Sequence, residues 1–307
     1  MSPTIEVHHL AKRYGDFTAV HDISFTVDRG EVMCLLGPNG AGKTTTTEIL
    51  EGYRERTSGH VQVLGFDPGR HERAFRERIG IVLQECGVQD DLTVGEVLDM
   101  YGSYARRRLA TPDVIRLVEL EAKAGDRVRH LSGGQRRRLD VGLALVGDPD
   151  LIFLDEPTTG FDPAARRASW SMIRSLAELG KTVLLTTHFM DEAQALADRI
   201  AVVAGGRIIA EGTPETLGGR DRRNTIVETT LPDGVGANQL PDFGDASVEL
   251  HERTLRVESA DGVRATHTLT DWALSAGVHL GRLSVSQPSL EDIYLALTDP
   301  NSLEPSR

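Results

Sequence analysis

Nine consecutive residues carry the first recognisable chemistry: Gly37-Pro38-Asn39-Gly40-Ala41-Gly42-Lys43-Thr44-Thr45. Their spacing fits G-x-x-x-x-G-K-[ST], a loop that cradles phosphate. Glycines without a Cβ let the backbone turn its N–H groups onto oxygen. A helix N-terminus just beyond favours the same anion. Lys43 adds a point charge for β- and γ-phosphates, and the Thr44 hydroxyl is a hard oxygen donor of the kind Mg²⁺ takes. A second group follows the apolar run Leu151-Ile152-Phe153-Leu154, which delivers the paired carboxylates Asp155-Glu156. In this pattern the first carboxylate serves Mg²⁺ and the second is placed to activate a water. The third is His188, at the end of Val183-Leu184-Leu185-Thr186-Thr187. A lone histidine is more often structural, but one that ends a core strand after the other two groups reads as facing a ligand.

Three weaker signals surround these. Gln84 follows Ile79-Gly80-Ile81-Val82-Leu83, and a polar residue at the carboxyl end of a strand points to the ligand crevice of an α/β sheet. Its amide oxygen suits a metal ion or a water; plain strand termination fits equally. Leu131-Ser132-Gly133-Gly134-Gln135 puts a helix cap and two glycines together, exposing backbone N–H groups to a second anion. The alternative is an ordinary capped helix. Tyr14 offers a ring face to a base, or is a half-buried aromatic at a strand end.

The elements needed to hold these groups are legible. Val32-Met33-Cys34-Leu35-Leu36 reads as a buried strand leading into the phosphate loop, with a helix over residues 44–50 behind it. Residues 4–10, 18–20 and 23–27 alternate as antiparallel strands, and residues 59–65 form another. From 93 to 120 the pattern is helical, with Arg106-Arg107-Arg108 as a solvated helix end; a further helix covers 136–146. Residues 218–223 read as a linker. Beyond it come strands at 225–231, 247–251, 254–258 and 282–286, and a helix at 262–276. A final helix spans 288–297, with Ser289 as cap and Glu291 and Asp292 in its first turn.

Composition bounds the rest. A chain of 307 residues makes one large or two modest domains, and 39% hydrophobic residues can bury a core. A net charge of −12 argues against a nucleic-acid binder, which draws on clustered Lys and Arg. Cys34 and Cys86 form no disulfide framework, which fits a reducing compartment. No secretory signal and no apolar run near the roughly 18 residues of a membrane span is found. If the protein works at a membrane, another chain does the spanning. The histidines are scattered without zinc-like spacing, so the only metal expected is nucleotide-bound Mg²⁺.

Taken in order, Tyr14, the phosphate loop, Gln84, Leu131 to Gln135, Leu151 to Glu156, Asp162 and His188 resemble the nucleotide-binding subunit of an ABC transporter. Leu-Ser-Gly-Gly-Gln just upstream of the acidic strand marks that family out among P-loop proteins. Thr158-Thr159-Gly160-Phe161-Asp162-Pro163 and Thr186-Thr187-His188-Phe189-Met190-Asp191-Glu192-Ala193 are similar to the ABC-2 branch, within it to daunorubicin-resistance-type drug-export ATPases. Phe161 stands where leucine is usual, and Cys86 follows Gln84 two positions on; neither removes a catalytic group.

The resemblance implies an α/β P-loop NTPase of ABC type. This has a RecA-like core, an antiparallel β subdomain and an α-helical signature subdomain (residues 1–219), with a small C-terminal α+β accessory domain (220–307). It implies ATP and Mg²⁺ as cofactors. Tyr14 would stack on adenine, and Gly37, Pro38, Asn39, Gly40, Ala41, Gly42, Lys43, Thr44 and Thr45 would hold the phosphates. Thr44, Gln84 and Asp155 would serve the metal. Glu156 would be the general base, His188 would align water and γ-phosphate, and Lys43 and Gln84 would assist. Ser132, Gly133, Gly134 and Gln135 would meet the γ-phosphate of a second copy in a head-to-tail dimer, with Asp162 communicating across it. The implied partner is a polytopic ABC-2-type membrane permease, with the cassettes peripheral on the cytoplasmic face of the cell membrane and no nucleic acid bound. The implied cargo is a drug or antibiotic, moved outward. The accessory domain is expected to dimerise or regulate, and a chain cut after Gly219 that dimerised and turned over normally would refute that. A soluble ABC ATPase acting on DNA or ribosomes is the competing class. Such proteins carry paired cassettes or a long coiled coil, and this chain has one cassette and no heptad run. A catalytically silent nucleotide sensor would lack Lys43, Glu156 or His188, and all are present.

Overall fold

Alternating apolar side chains draw the first residues into two long antiparallel strands, β1 (Ile5–Tyr14) and β2 (Phe17–Val27). The computed structural model describes residues 2–82, 88–222 and 224–298. The sequence pattern suggests a break in the second strand at His21-Asp22, but β2 runs through. Its register against β1 moves from Leu10↔Ile23 to Lys12↔Val20, so β2 carries one extra residue there. A bulge absorbs it without flipping the buried set Val20, Ile23, Phe25 and Val27.

β3 (Val32–Leu36) has every side chain buried, as a strand covered on both faces must. It runs into α1 (Lys43–Leu50). β4 (Ser58–Val63) pairs with β1, and α2 (Arg73–Arg76) leads to β5 (Ile79–Val82). Residues 94–145 then contain α3 (Val94–Gly102), α4 (Thr111–Leu117) and α5 (Gly133–Leu145). These three pack on one another where Gly142 of α5 meets Leu98 of α3 and Val114 of α4. Thr93 opens α3 with a reciprocal cap: its hydroxyl accepts from Glu96 N, and Glu96 accepts from Thr93 N at 2.8 Å. The Arg106–Arg108 run, expected at a helix end, lies between α3 and α4, where Arg107 pairs with Asp148 at 2.6 Å.

β6 (Leu151–Asp155), α6 (Pro163–Glu178), β7 (Thr182–Thr187), α7 (Met190–Leu196), β8 (Arg199–Ala204) and β9 (Arg207–Gly212) complete the first compact unit, Met1–Pro214. Its nine strands form one sheet in the order β4-β1-β2-β9-β8-β3-β7-β6-β5. Strands β8, β3, β7, β6 and β5 are parallel neighbours, and β1, β2 and β4 make the antiparallel part. Because β3, β7 and β6 are adjacent, the phosphate loop, His188 and Asp155-Glu156 all leave the sheet at the carboxyl ends of neighbouring strands. That is where ligands bind in open α/β sheets.

The second unit, Glu215–Arg307, holds β10 (Thr225–Thr230), β11 (Ser247–His251), β12 (Thr254–Ser259), α8 (Gly262–Ala276), β13 (Ser284–Ser286) and α9 (Leu290–Thr298). Its sheet has the order β11-β12-β10-β13. Ala265 and Leu269 of α8 close over Val227, Leu255 and Val257, giving a small α+β core. No helix among the described residues is long and apolar enough to cross a membrane.

Candidate nucleotide-hydrolysis site

The phosphate loop is shaped by close approach. A Cβ at Gly37 would stand 2.2 Å from Val203 O, and one at Gly42 would stand 2.6 Å from Ala19 O, where φ is +102°. Both positions exclude any side chain. Gly42 is also the N-cap of α1 and offers no side-chain cap. The first N–H groups of the helix are therefore left for an anion.

Lys43 is 4% exposed, and its Nζ donates to Gly37 O (2.7 Å) and Pro38 O (3.0 Å). It thus curls over the loop it belongs to. Burial pulls its pKa below the usual lysine value, while Glu156 and Asp155 oppose that shift. Its ammonium lies 3.8 Å from Glu156 Oε1.

The acidic pair is built by β6 and braced by β7. The Thr186 hydroxyl donates to Asp155, and Glu156 N donates to Thr186 O at 3.1 Å. Glu156 has φ +44°, a left-handed conformation rare for a side chain of its size. That turn aims its carboxylate into the cleft. There Oε1 lies 3.2 Å from His188 Nδ1, and Oε2 accepts from the Thr159 hydroxyl at 3.1 Å. The Thr44 hydroxyl reaches Asp155 Oδ2 at 3.5 Å. A hydroxyl and a carboxylate converging beside a phosphate loop form a hard-oxygen donor set, and this set fits Mg²⁺.

These groups border a cleft of about 400 Å³ lined by Tyr14, Phe17, Ala19, Asn39, Gly40, Gly42, Lys43, Thr44, Thr45 and Glu156. Tyr14 stands at its mouth with Lys12 Nζ 5.0 Å and Arg54 Cζ 5.4 Å from its ring centroid. A roomier groove of about 620 Å³, lined by Ile79, Ile81, Tyr101, Tyr104 and Leu143 among others, lies elsewhere and contains none of this chemistry.

The structure thus brings Tyr14, the loop residues, Asp155, Glu156 and His188 together. It does not bring Ser132, Gly133, Gly134 and Gln135 into this cleft. They open α5, where Ser132 Oγ accepts from Gln135 N (3.3 Å) and Ser132 N donates to Gln135 Oε1 (3.0 Å). Asp162 is likewise outside the lining and caps α6, accepting from Ala164 N (2.8 Å) and Ala165 N (2.9 Å). Those backbone donors hold its carboxyl below the usual range. Gln84 and Cys86 lie outside the described residues. Cys34 is buried and free.

Residues without a motif also contribute. Phe17 sits across the hairpin from Tyr14 and lines the cleft. Arg137 of α5 donates to Pro157 O (3.3 Å) and Asp155 O (3.4 Å), steadying the backbone around Glu156. Neither is marked by local pattern, although an aromatic one two-residue turn from Tyr14 is a usable signal.

The geometry has close counterparts among known proteins. Residues 20–159 match the family model described as ABC transporter, and residues 225–289 match that of the ABC transporter domain-containing protein-like C-terminal domain. The Nod factor export ATP-binding protein I of Ralstonia nicotianae is 40% identical, over 97% of this chain and 94% of its own. The daunorubicin resistance ATP-binding protein DrrA3 of Streptomyces coeruleorubidus is 37% identical, over 96% of this chain and 95% of its own. Among solved structures, the ADP conformation of an ATP-binding cassette of an ABC transporter superposes with a TM-score of 0.63 at 25% identity, covering 70% of this chain and 92% of that one.

Proposed function

The chain belongs to the ABC transporter family and is an ATP hydrolase of that kind; from that premise we propose that it drives an ABC-2-type exporter, its cassettes closing on ATP as a head-to-tail pair against a separate membrane permease. The observation that carries the reading is the placing of one carboxylate oxygen, Glu156 Oε1, 3.2 Å from His188 Nδ1 and 3.8 Å from Lys43 Nζ at the cleft. ATP enters with adenine on Tyr14 and its phosphates on the Gly37–Thr45 loop. Lys43 swings from its own loop carbonyls to the β- and γ-phosphates. Glu156 takes the proton of a water as its oxygen attacks the γ-phosphorus, and the bond to the β-phosphate oxygen breaks. His188 keeps water and phosphate in line. Thr44 and Asp155 would hold Mg²⁺, with Gln84 proposed as a further ligand by resemblance; when bound, the ion would offset charge on the phosphate oxygens.

The signature residues Ser132 to Gln135 and Asp162 complete the site of the opposite copy. Ser132, Gly133 and Asp162 are exposed, where a second copy can reach them, and that supports this arrangement. Hydrolysis then depends on closure, and closure is the motion passed to the permease. One named relative is a Nod factor export protein and another a daunorubicin resistance protein; the proposed cargo is a drug or antibiotic, read by the membrane chain, with the cassettes peripheral on the cytoplasmic face. Residues 220–307 act as the accessory domain.

The test is purification of the Glu156→Gln protein with ATP from detergent-solubilised membranes of its source. Co-purification of a polytopic membrane protein is expected. Recovery of ribosomes or nucleic acid without one would replace the exporter with a soluble ABC ATPase.

A further inference from the structure

Behind the site lies a buried carboxylate that the hydrolysis scheme does not use. Glu192 of α7 is fully buried. Its Oε1 accepts from the Thr158 hydroxyl at 2.7 Å and from Trp170 Nε1 at 3.2 Å. Each partner belongs to a different part of the site. Thr158 lies two residues after Glu156, Trp170 sits on the helix that Asp162 caps, and Glu192 itself stands on α7, four residues after His188. On the far side of His188, Phe189 N donates to Thr187 Oγ1 at 3.0 Å. The Phe189 ring is covered by the Arg166 guanidinium, 4.3 Å from its centroid, and Arg166 pairs with Asp191 at 3.1 Å.

We propose that Glu192 is a positioning residue for phosphoryl transfer: its carboxylate ties the segment that follows Glu156 to α7, the helix that begins two residues after His188, and so sets the spacing of that pair. The inference rests on the catalytic reading of Glu156 and His188 above. Packing alone does not explain the residue. Glu192 Oε2 is buried with no hydrogen-bond partner among the described residues. A carboxylate left so is costly, and an apolar side chain would fill the space at less expense. Burial pushes its pKa upward. What an apolar side chain lacks is an acceptor that the Thr158 segment and α6 can share.

Full-length wild type, Glu192→Ala, Glu192→Gln, Thr158→Val and Glu156→Gln are compared for ATP affinity, KM, kcat and unfolding midpoint. For Glu192→Ala, kcat is expected to fall about tenfold or more while KM and ATP affinity stay within about twofold, a loss confined to the transition state. Glu192→Gln keeps an acceptor oxygen for Thr158 and Trp170 and is expected to recover turnover to within about threefold of wild type. A folded Glu192→Ala protein with wild-type kcat overturns the proposal, as does a loss of affinity equal to the loss of kcat. Should Glu192→Ala not fold, Thr158→Val decides: reduced kcat at unchanged affinity supports the tie, and wild-type kcat overturns it. Glu156→Gln separates the two claims. If it turns over normally the catalytic reading itself fails; if it is inactive while Glu192→Ala is normal, only the role of Glu192 fails.

Discussion

Glu156 shows how much of this site is decided by single residues. Its left-handed backbone is held by paired bonds from its N–H to Thr186, so the strain is stored where the carboxylate has to point. Motif spacing makes Lys43, Asp155, Glu156 and His188 legible in the sequence: the last three close an apolar strand run directly, and Lys43 follows one across the glycine loop. The roles of Glu192 and Arg137 are not, because their partners are distant in sequence. Glu51 is another such residue. It lies near the end of α1, and burial, with Asp155 and Glu48 adding to it, raises its pKa to about 8. The native state therefore holds a proton that the unfolded chain has released by about pH 5. Its contribution to stability is full below the unfolded value and is lost as pH rises through the folded one. Denaturant midpoints measured from pH 5 to pH 8 are expected to decline more steeply for wild type than for Glu51→Gln, with the variant the more stable at pH 8. Parallel profiles would show that Glu51 titrates normally.

At the scale of elements, the sheet does the assembling. Parallel strands β3, β7 and β6 lie side by side, and the phosphate loop, Asp155-Glu156 and His188 leave from their carboxyl ends. The apolar runs identify these strands, but their order in the sheet depends on crossovers that no local pattern records. The same limit hides the continuity of β2, whose bulge lets exposed His21 and Asp22 interrupt the alternation without ending the strand. α5 is an element with two duties. Ser132 both caps it and presents its first turn outward. Ser132→Ala is expected to cost about 1 kcal/mol of stability through the lost cap. Ser132→Arg is expected to leave ATP binding to the monomer intact while abolishing turnover, because in the proposed dimer the added side chain would meet the nucleotide of the opposite copy. Titration of ATP into the monomer alongside a turnover assay distinguishes these, and loss of monomer binding in Ser132→Arg would place the signature residues in their own chain's cleft.

For the whole molecule, the proposed scheme makes hydrolysis a property of two copies and assigns it to one base, Glu156. The resemblance is legible over the cassette because its motifs are dense there. In the second unit, strand alternation, helix periodicity and the final Leu290-Glu291-Asp292-Ile293-Tyr294-Leu295 run are what can be read. They define a small α+β core without naming its task. The most direct test of the central claim is the steady-state ATP turnover of Glu156→Gln beside wild type, with the mass of the ATP-bound species followed by light scattering. Turnover is expected to fall at least about a hundredfold, the usual worth of a positioned base, while the variant accumulates as an ATP-bound dimer. A variant that stayed monomeric with ATP, or that hydrolysed at the wild-type rate, would contradict it.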